Sequence, residues 1–114
     1  MQECIFCKII DGQIHCKKVF ENEYILAFDD IEPQAPTHFL IIPKKHISTI
    51  NEIQIEDKNL FGEMFISAKE IVKIKGIQEQ GYRTIFNTNE YAGQTVFHIH
   101  MHVMGGRRMS WPPG

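Results

Sequence analysis

The chain has 114 residues, of which 43% are hydrophobic and 23% charged, with a formal net charge of −2 and three cysteines. This length suits one compact domain over residues 1–114, and the composition excludes a disordered chain. The balance of charge offers no broad basic surface for nucleic acid, and no apolar run is long enough for a signal peptide or a membrane span. An odd cysteine count without an export signal points to the cytoplasm and away from a disulfide framework.

Cys4-Ile5-Phe6-Cys7 is a C-x2-C followed by a short apolar run that Asp11-Gly12 ends, which predicts one or two helical turns and then a turn. The spacing suits two thiolates on one zinc ion, whose other ligands must then be distant histidines. A redox dithiol and two free, partly buried thiols are the alternatives, and the available histidines favour zinc. Lys17–Glu21 and Tyr24–Asp29 read as short strands, the second with Tyr24, Leu26 and Phe28 on one face and Ile25 and Ala27 on the other. Pro33 and Pro36 fix an extended loop before Thr37–Pro43, a nearly continuous apolar run that predicts a central strand buried on both faces. Lys44-Lys45-His46 then reads as a turn with two solvated lysines and a histidine placed at a strand end.

Glu56–Lys75 carries Leu60, Phe61, Met64, Phe65, Ala68, Ile71 and Val72 at spacings of three and four. That stripe predicts a long helix with its apolar side in the core, acidic at its start, basic at its end and stopped by Gly76. Gly81–Asn87 alternates as a further strand. Thr88–Thr95 is a polar loop in which Gly93 permits close backbone approach and Gln94 and Thr95 offer donors, as a phosphate-holding turn requires.

That loop runs into Phe97–Met104, where His98, His100 and His102 alternate with Ile99, Met101 and Val103. A strand would present all three imidazoles on one face, with neighbours about 7 Å apart, close enough to surround a small anionic group. Imidazole is suited to nucleophilic and acid–base work near neutral pH, so this stretch reads as an active-site floor. Its apolar residues would face the long helix. In the tail, Ser110-Trp111-Pro112-Pro113-Gly114, a lone Trp within a proline-rich segment suggests docking rather than a frayed end.

His98-x-His100-x-His102-Val103 resembles the histidine triad family of nucleotide hydrolases and transferases. Cys4–Ile10, Phe28–Ile31, Pro33–Leu40, Ile42–Ile47, Gly105–Arg107 and Trp111–Gly114 extend the resemblance over essentially the whole chain, to the histidine triad nucleotide-binding (Hint) branch. The resemblance implies an α+β fold: an antiparallel sheet, one long helix on its back face, and a sheet continuous across a homodimer whose tails reach the partner's site. It implies hydrolysis of purine nucleoside phosphoramidates such as adenosine 5′-monophosphoramidate, and of aminoacyl adenylates. His100 would be the nucleophile, Asp30 the ribose-binding acid, and Ile31 a neighbour of the base. Asn87, Gly93, Gln94, Thr95 and His102 would surround the phosphate, and Trp111 would join the nucleotide site. Cys4, Cys7, His46 and His98 would hold a structural zinc, with no catalytic metal required. Asn89-Glu90-Tyr91-Ala92 departs from the small, acidic, Gly-rich stretch usual there.

The residue chemistry agrees. A neutral imidazole can attack phosphorus, splitting one hard step into two, while donors from His102, Thr95 and the Gly93–Thr95 backbone would stabilise the charge on the phosphoryl oxygens. Two rival functions are a nucleotide-binding scaffold with vestigial activity and a dinucleotide polyphosphate hydrolase. A zinc site made by the triad alone ranks last, because three imidazoles on one strand splay apart.

Overall fold

The computed structural model describes residues 3–114; Met1 and Gln2, part of the N-terminal stretch read against a signal peptide, lie outside the described residues. The elements are α1 (Ile5–Ile10), β1 (Lys18–Glu21), β2 (Ile25–Asp29), β3 (Thr37–Pro43), α2 (Lys58–Lys75), β4 (Tyr82–Ile85) and β5 (Met101–Gly105). Every strand pairs antiparallel with its neighbours, in the order β1-β2-β3-β5-β4. Asn22 makes the turn into β2, its Oδ1 accepting from the N–H groups of Tyr24 and Ile25 at 2.9 and 3.0 Å.

The central strand β3 is buried on both faces, as its apolar run requires. Phe39 and Ile41 join Ile25, Ala27, Met101 and Val103 beneath the helix residues Met64, Ala68, Ile71 and Val72. Leu40 and Ile42 point the other way, into a second cluster with Leu26, Phe28 and Phe6 of α1. The sheet therefore carries α2 on its back and α1 on its front. Three side chains depart from expectation. Phe65 of the helix stripe remains 49% exposed, set against Phe86 at the flank rather than under the sheet. Lys44 and Lys45 are ion-paired rather than simply solvated, to Glu21 and to the buried Asp57, each at 2.6 Å.

The start of α2 is later than the pattern suggests, because Ile55–Asp57 forms a 3-10 turn closed by a capping box between Gln54 and Asp57. Its stop is as expected. Gly76 takes a left-handed φ of 78° and donates its N–H to the Lys73 and Val72 carbonyls.

The largest difference lies in the triad segment. The ladder begins at Met101, not at Phe97, so His98 and His100 precede the strand. The register pairs Ile41 with Met101, which would set Ile99 opposite Pro43. Proline has no N–H to continue a ladder. The chain swings instead toward the segment after β3, where the Ile99 N–H donates to the Ile47 carbonyl at 2.7 Å. The alternation survives the loss of the ladder, with Ile99, Met101 and Val103 all buried. His98 and His100 are buried too, beneath α1, so the front of this segment is not a wet face.

Met64 is fully buried and Phe65 is half exposed. Met64→Ala should lower unfolding free energy by roughly 2–5 kcal/mol, and Phe65→Ala by clearly less. Urea titrations of both variants test this placement of the stripe.

Candidate functional site

Four side chains from three distant segments meet at the front of the sheet: Cys4, Cys7, His46 and His98. Cys4 caps α1, its Sγ accepting from the Cys7 N–H at 3.3 Å, which turns both sulfurs the same way. His98 Nδ1 lies 3.4 Å from Cys4 Sγ, 3.6 Å from Cys7 Sγ and 3.1 Å from His46 Nδ1, and His46 Nδ1 lies 3.4 Å from Cys7 Sγ. A tetrahedral ion with Zn–N and Zn–S bonds of normal length needs ligand separations of about 3.3–3.8 Å. The cluster fits a metal on that ground. Burial, together with the neighbouring Cys4 thiol, pushes the Cys7 thiol up to about 11, so two thiolates here call for a cation between them.

The hydrogen bonds fix the tautomer of each triad histidine, because a carbonyl can only accept. His98 Nε2 lies 2.8 Å from the Pro43 carbonyl and must carry the proton, leaving the Nδ1 lone pair toward the cysteines. His100 Nδ1 lies 2.8 Å from the His98 carbonyl and must donate, leaving its Nε2 unprotonated. Burial holds the His100 imidazole below its ordinary pKa, so the neutral form prevails. Phe6 packs edge-on against this ring at 5.1 Å between centroids.

His102 belongs to a second group, with His38 and Asp30. His38 Nδ1 accepts from the Gln34 N–H at 2.9 Å, so its proton sits on Nε2. That Nε2–H faces His102 Nδ1 at 2.9 Å and the Asp30 carboxylate at 3.3 Å. His102 consequently accepts at Nδ1 and carries its own proton on Nε2. A metal at this second group would have to displace the His38 proton and lose the Gln34 bond, so the group is a hydrogen-bonded chain. Sequence reasoning gave His38 no role. Its signal was present only as a histidine within an otherwise apolar central strand, and its partner lies 64 positions away.

The remaining expected residues divide. Asp30 and Ile31 line a cavity of about 450 Å³ that also takes in Pro33, His38 and Lys75, and Ile31 is 92% exposed there. Register pairs Ile85 with His102 at the end of the β4–β5 ladder, and Asn87 lies two residues beyond it. Gly93 and Thr95 are exposed at the loop surface. Gln94 is different. Its side chain is buried and bonds backbone groups of Asn89, Ser48 and Val96, so it points away from the position read for a phosphate donor. Trp111 is 81% exposed. It lies 5.9 Å from the Arg83 guanidinium of β4, which also donates to the Ser110 carbonyl at 3.0 Å.

The HIT domain family model matches residues 11–109. The chain belongs to the HIT family. It is 48% identical to the purine nucleoside phosphoramidase of Escherichia coli K12, over 93% of this chain and 89% of that one. It is 44% identical to an uncharacterised HIT-like protein of Synechococcus elongatus, over 99% and 98% of the two chains. The crystal structure of a HIT family hydrolase from Legionella pneumophila superposes with a TM-score of 0.97 at 54% identity, covering 98% of this chain and all of that one. The α+β HIT fold expected from the resemblance is thereby established. No helix among the described residues is long and apolar enough to cross a membrane.

Burial, with the neighbouring His100 and His38, pushes His102 down to about 4 from an ordinary 6.5. A depressed histidine pKa means that the unfolded chain binds the proton more tightly. Stability from the buried neutral pair is therefore full above about pH 6.5 and is lost as the pH falls toward about 4. Urea midpoints across this window should fall more steeply for wild type than for His102→Asn. Parallel curves would refute the assignment.

Proposed function

We propose that this HIT protein is a purine nucleoside phosphoramidase, cleaving the P–N bond of nucleotide–amine conjugates through a nucleotidyl-histidine. The carrying observation is the neutral His100, which presents a free Nε2 because its Nδ1–H is held by the His98 carbonyl. His100 Nε2 attacks the α-phosphorus, an N–P bond forms, and the P–N bond to the amine breaks as the departing nitrogen takes a proton from solvent. Water then attacks the phosphorus and gives a proton back to solvent, the imidazole leaves, and the nucleoside monophosphate is released. His102 Nε2–H donates to a phosphoryl oxygen, and the His38–Asp30 chain behind it holds that tautomer and steadies any charge that develops. Asp30 and Ile31 receive the ribose and the purine, and Asn87 and the Gly93 and Thr95 backbone meet the phosphate. The 48% identity to the Escherichia coli phosphoramidase supports the same substrate class.

Cys4, Cys7, His46 and His98 hold zinc in this reading. Four protein ligands leave it no open position, so the ion is structural and fixes His98 beside the nucleophile. The single HIT domain, residues 1–114, acts as a cytoplasmic homodimer. β4 ends the sheet, and the tail is tied to Arg83 on that strand, so pairing β4 with its copy carries Trp111 toward the partner's site.

His100→Ala should lower kcat on adenosine 5′-monophosphoramidate by on the order of a thousandfold or more while AMP affinity stays near wild type. Activity within tenfold of wild type would exclude His100 as nucleophile. Elemental analysis of reduced protein purified without chelator should return about one zinc per chain, falling to background in Cys4→Ala/Cys7→Ala.

A further inference from the structure

Two observations meet in the loop between β4 and the triad. Asn89 is the one non-glycine residue with positive φ among the described residues, at φ 67° and ψ −172°. A side chain in that region is strained, and it persists only where surrounding contacts impose it. The second observation is the buried Gln94 amide. Its Oε1 accepts from the Asn89 N–H at 2.8 Å, and the Gln94 backbone N–H donates to the Asn89 carbonyl at 3.1 Å. Asn89 is thus gripped through both of its peptide groups. The turn inside is closed by the Gly93 N–H on the Glu90 carbonyl at 3.0 Å.

Gln94 Nε2 carries two protons, and both are used: one to the Ser48 carbonyl at 2.9 Å, the other to the Val96 carbonyl at 3.1 Å. Ser48 lies two residues beyond His46, and Val96 two residues before His98. The side chain therefore ties the loop to the two segments that also meet at the Cys/His cluster. With both N–H donors committed to carbonyls, it has none left for a phosphate.

We propose that Gln94 is a positioning residue for the reaction: it holds Asn89 in its strained conformation and so aims the Gly93–Thr95 backbone at the phosphoryl oxygens. This deepens the phosphoramidase reading and rests on it for the identity of the group that the loop meets. Oxyanion donors act only when fixed in place, so loosening the loop should reduce catalysis without removing any contact to the nucleotide.

Gln94→Met keeps length and deletes every polar atom of the side chain. Asn89→Gly allows the same φ without a clamp. On adenosine 5′-monophosphoramidate, Gln94→Met should lose about ten- to a hundredfold in kcat with a smaller change in KM. In the free protein its Asn89 amide should exchange at least about tenfold faster by NMR, since that N–H loses its acceptor. Asn89→Gly alone should stay within about twofold of wild type in kcat, and added to Gln94→Met it should recover most of the loss. Gln94→Glu keeps the acceptor for Asn89, so it should protect the Asn89 amide and lose less kcat than Gln94→Met. It also serves if the methionine variant folds poorly.

A Gln94→Met protein whose Asn89 amide exchanges as in wild type, or a double variant no more active than Gln94→Met, would overturn the proposal. A variant that loses only AMP affinity, measured by calorimetry, would make Gln94 a direct ligand instead. If wild type releases no AMP from the phosphoramidate, the functional reading fails. Amide exchange and AMP calorimetry in the same variants would then still decide the role of Gln94.

Discussion

The site depends on one hydrogen bond, from His98 Nε2–H to the carbonyl of Pro43. That bond fixes which nitrogen of His98 is bare and turns it toward Cys4, Cys7 and His46. The same residue then uses its backbone carbonyl to take the Nδ1 proton of His100, baring the Nε2 of the next imidazole. Two tautomers are set in series from one strand end. Pro43 suits this position because it ends the ladder on its N–H side while leaving its carbonyl to accept.

The burial of these groups also makes the arrangement definite. His98 is fully buried and His100 nearly so, and burial disfavours the imidazolium in both. A neutral imidazole has one proton, so naming the acceptor names the free nitrogen. On a wet strand face the rings would exchange protons with water and no role could be assigned. Phe6, packed edge-on against His98, His100 and Phe28, closes this compartment from the side of α1. The segment that supplies two cysteines thus also supplies the wall against His100.

The two clusters of metal-binding residue types divide by the same reasoning. In the first, His98 aims a bare nitrogen inward and its Nε2 proton outward to a carbonyl. In the second, the Gln34 N–H occupies His38 Nδ1 and forces the proton to the inner nitrogen. One group can therefore hold a metal while the other is a donor chain, and the difference rests on single backbone groups.

Local pattern determined much of this. The doubly buried β3, the helix stopped at Gly76 and the short helix holding the C-x2-C follow from periodicity and punctuation, since each depends on residues within a few positions. The histidine triad was legible as chemistry for the same reason, and with the resemblance it gave the family and the four residues that meet at the Cys/His cluster. What the sequence could not fix is where each polar side chain turns. Gln94 reads as a phosphate donor by adjacency, yet its donors go to Ser48, 46 positions away, and to Val96. His38 reads as one histidine in an apolar strand until His102 is laid beside it by the β3–β5 register. The triad strand begins late because of a proline on another strand, and Trp111 finds an arginine 28 positions upstream. Hydrogen-bond partners distant in sequence are chosen by packing and by the need to satisfy buried donors, and that choice exists only in the folded chain.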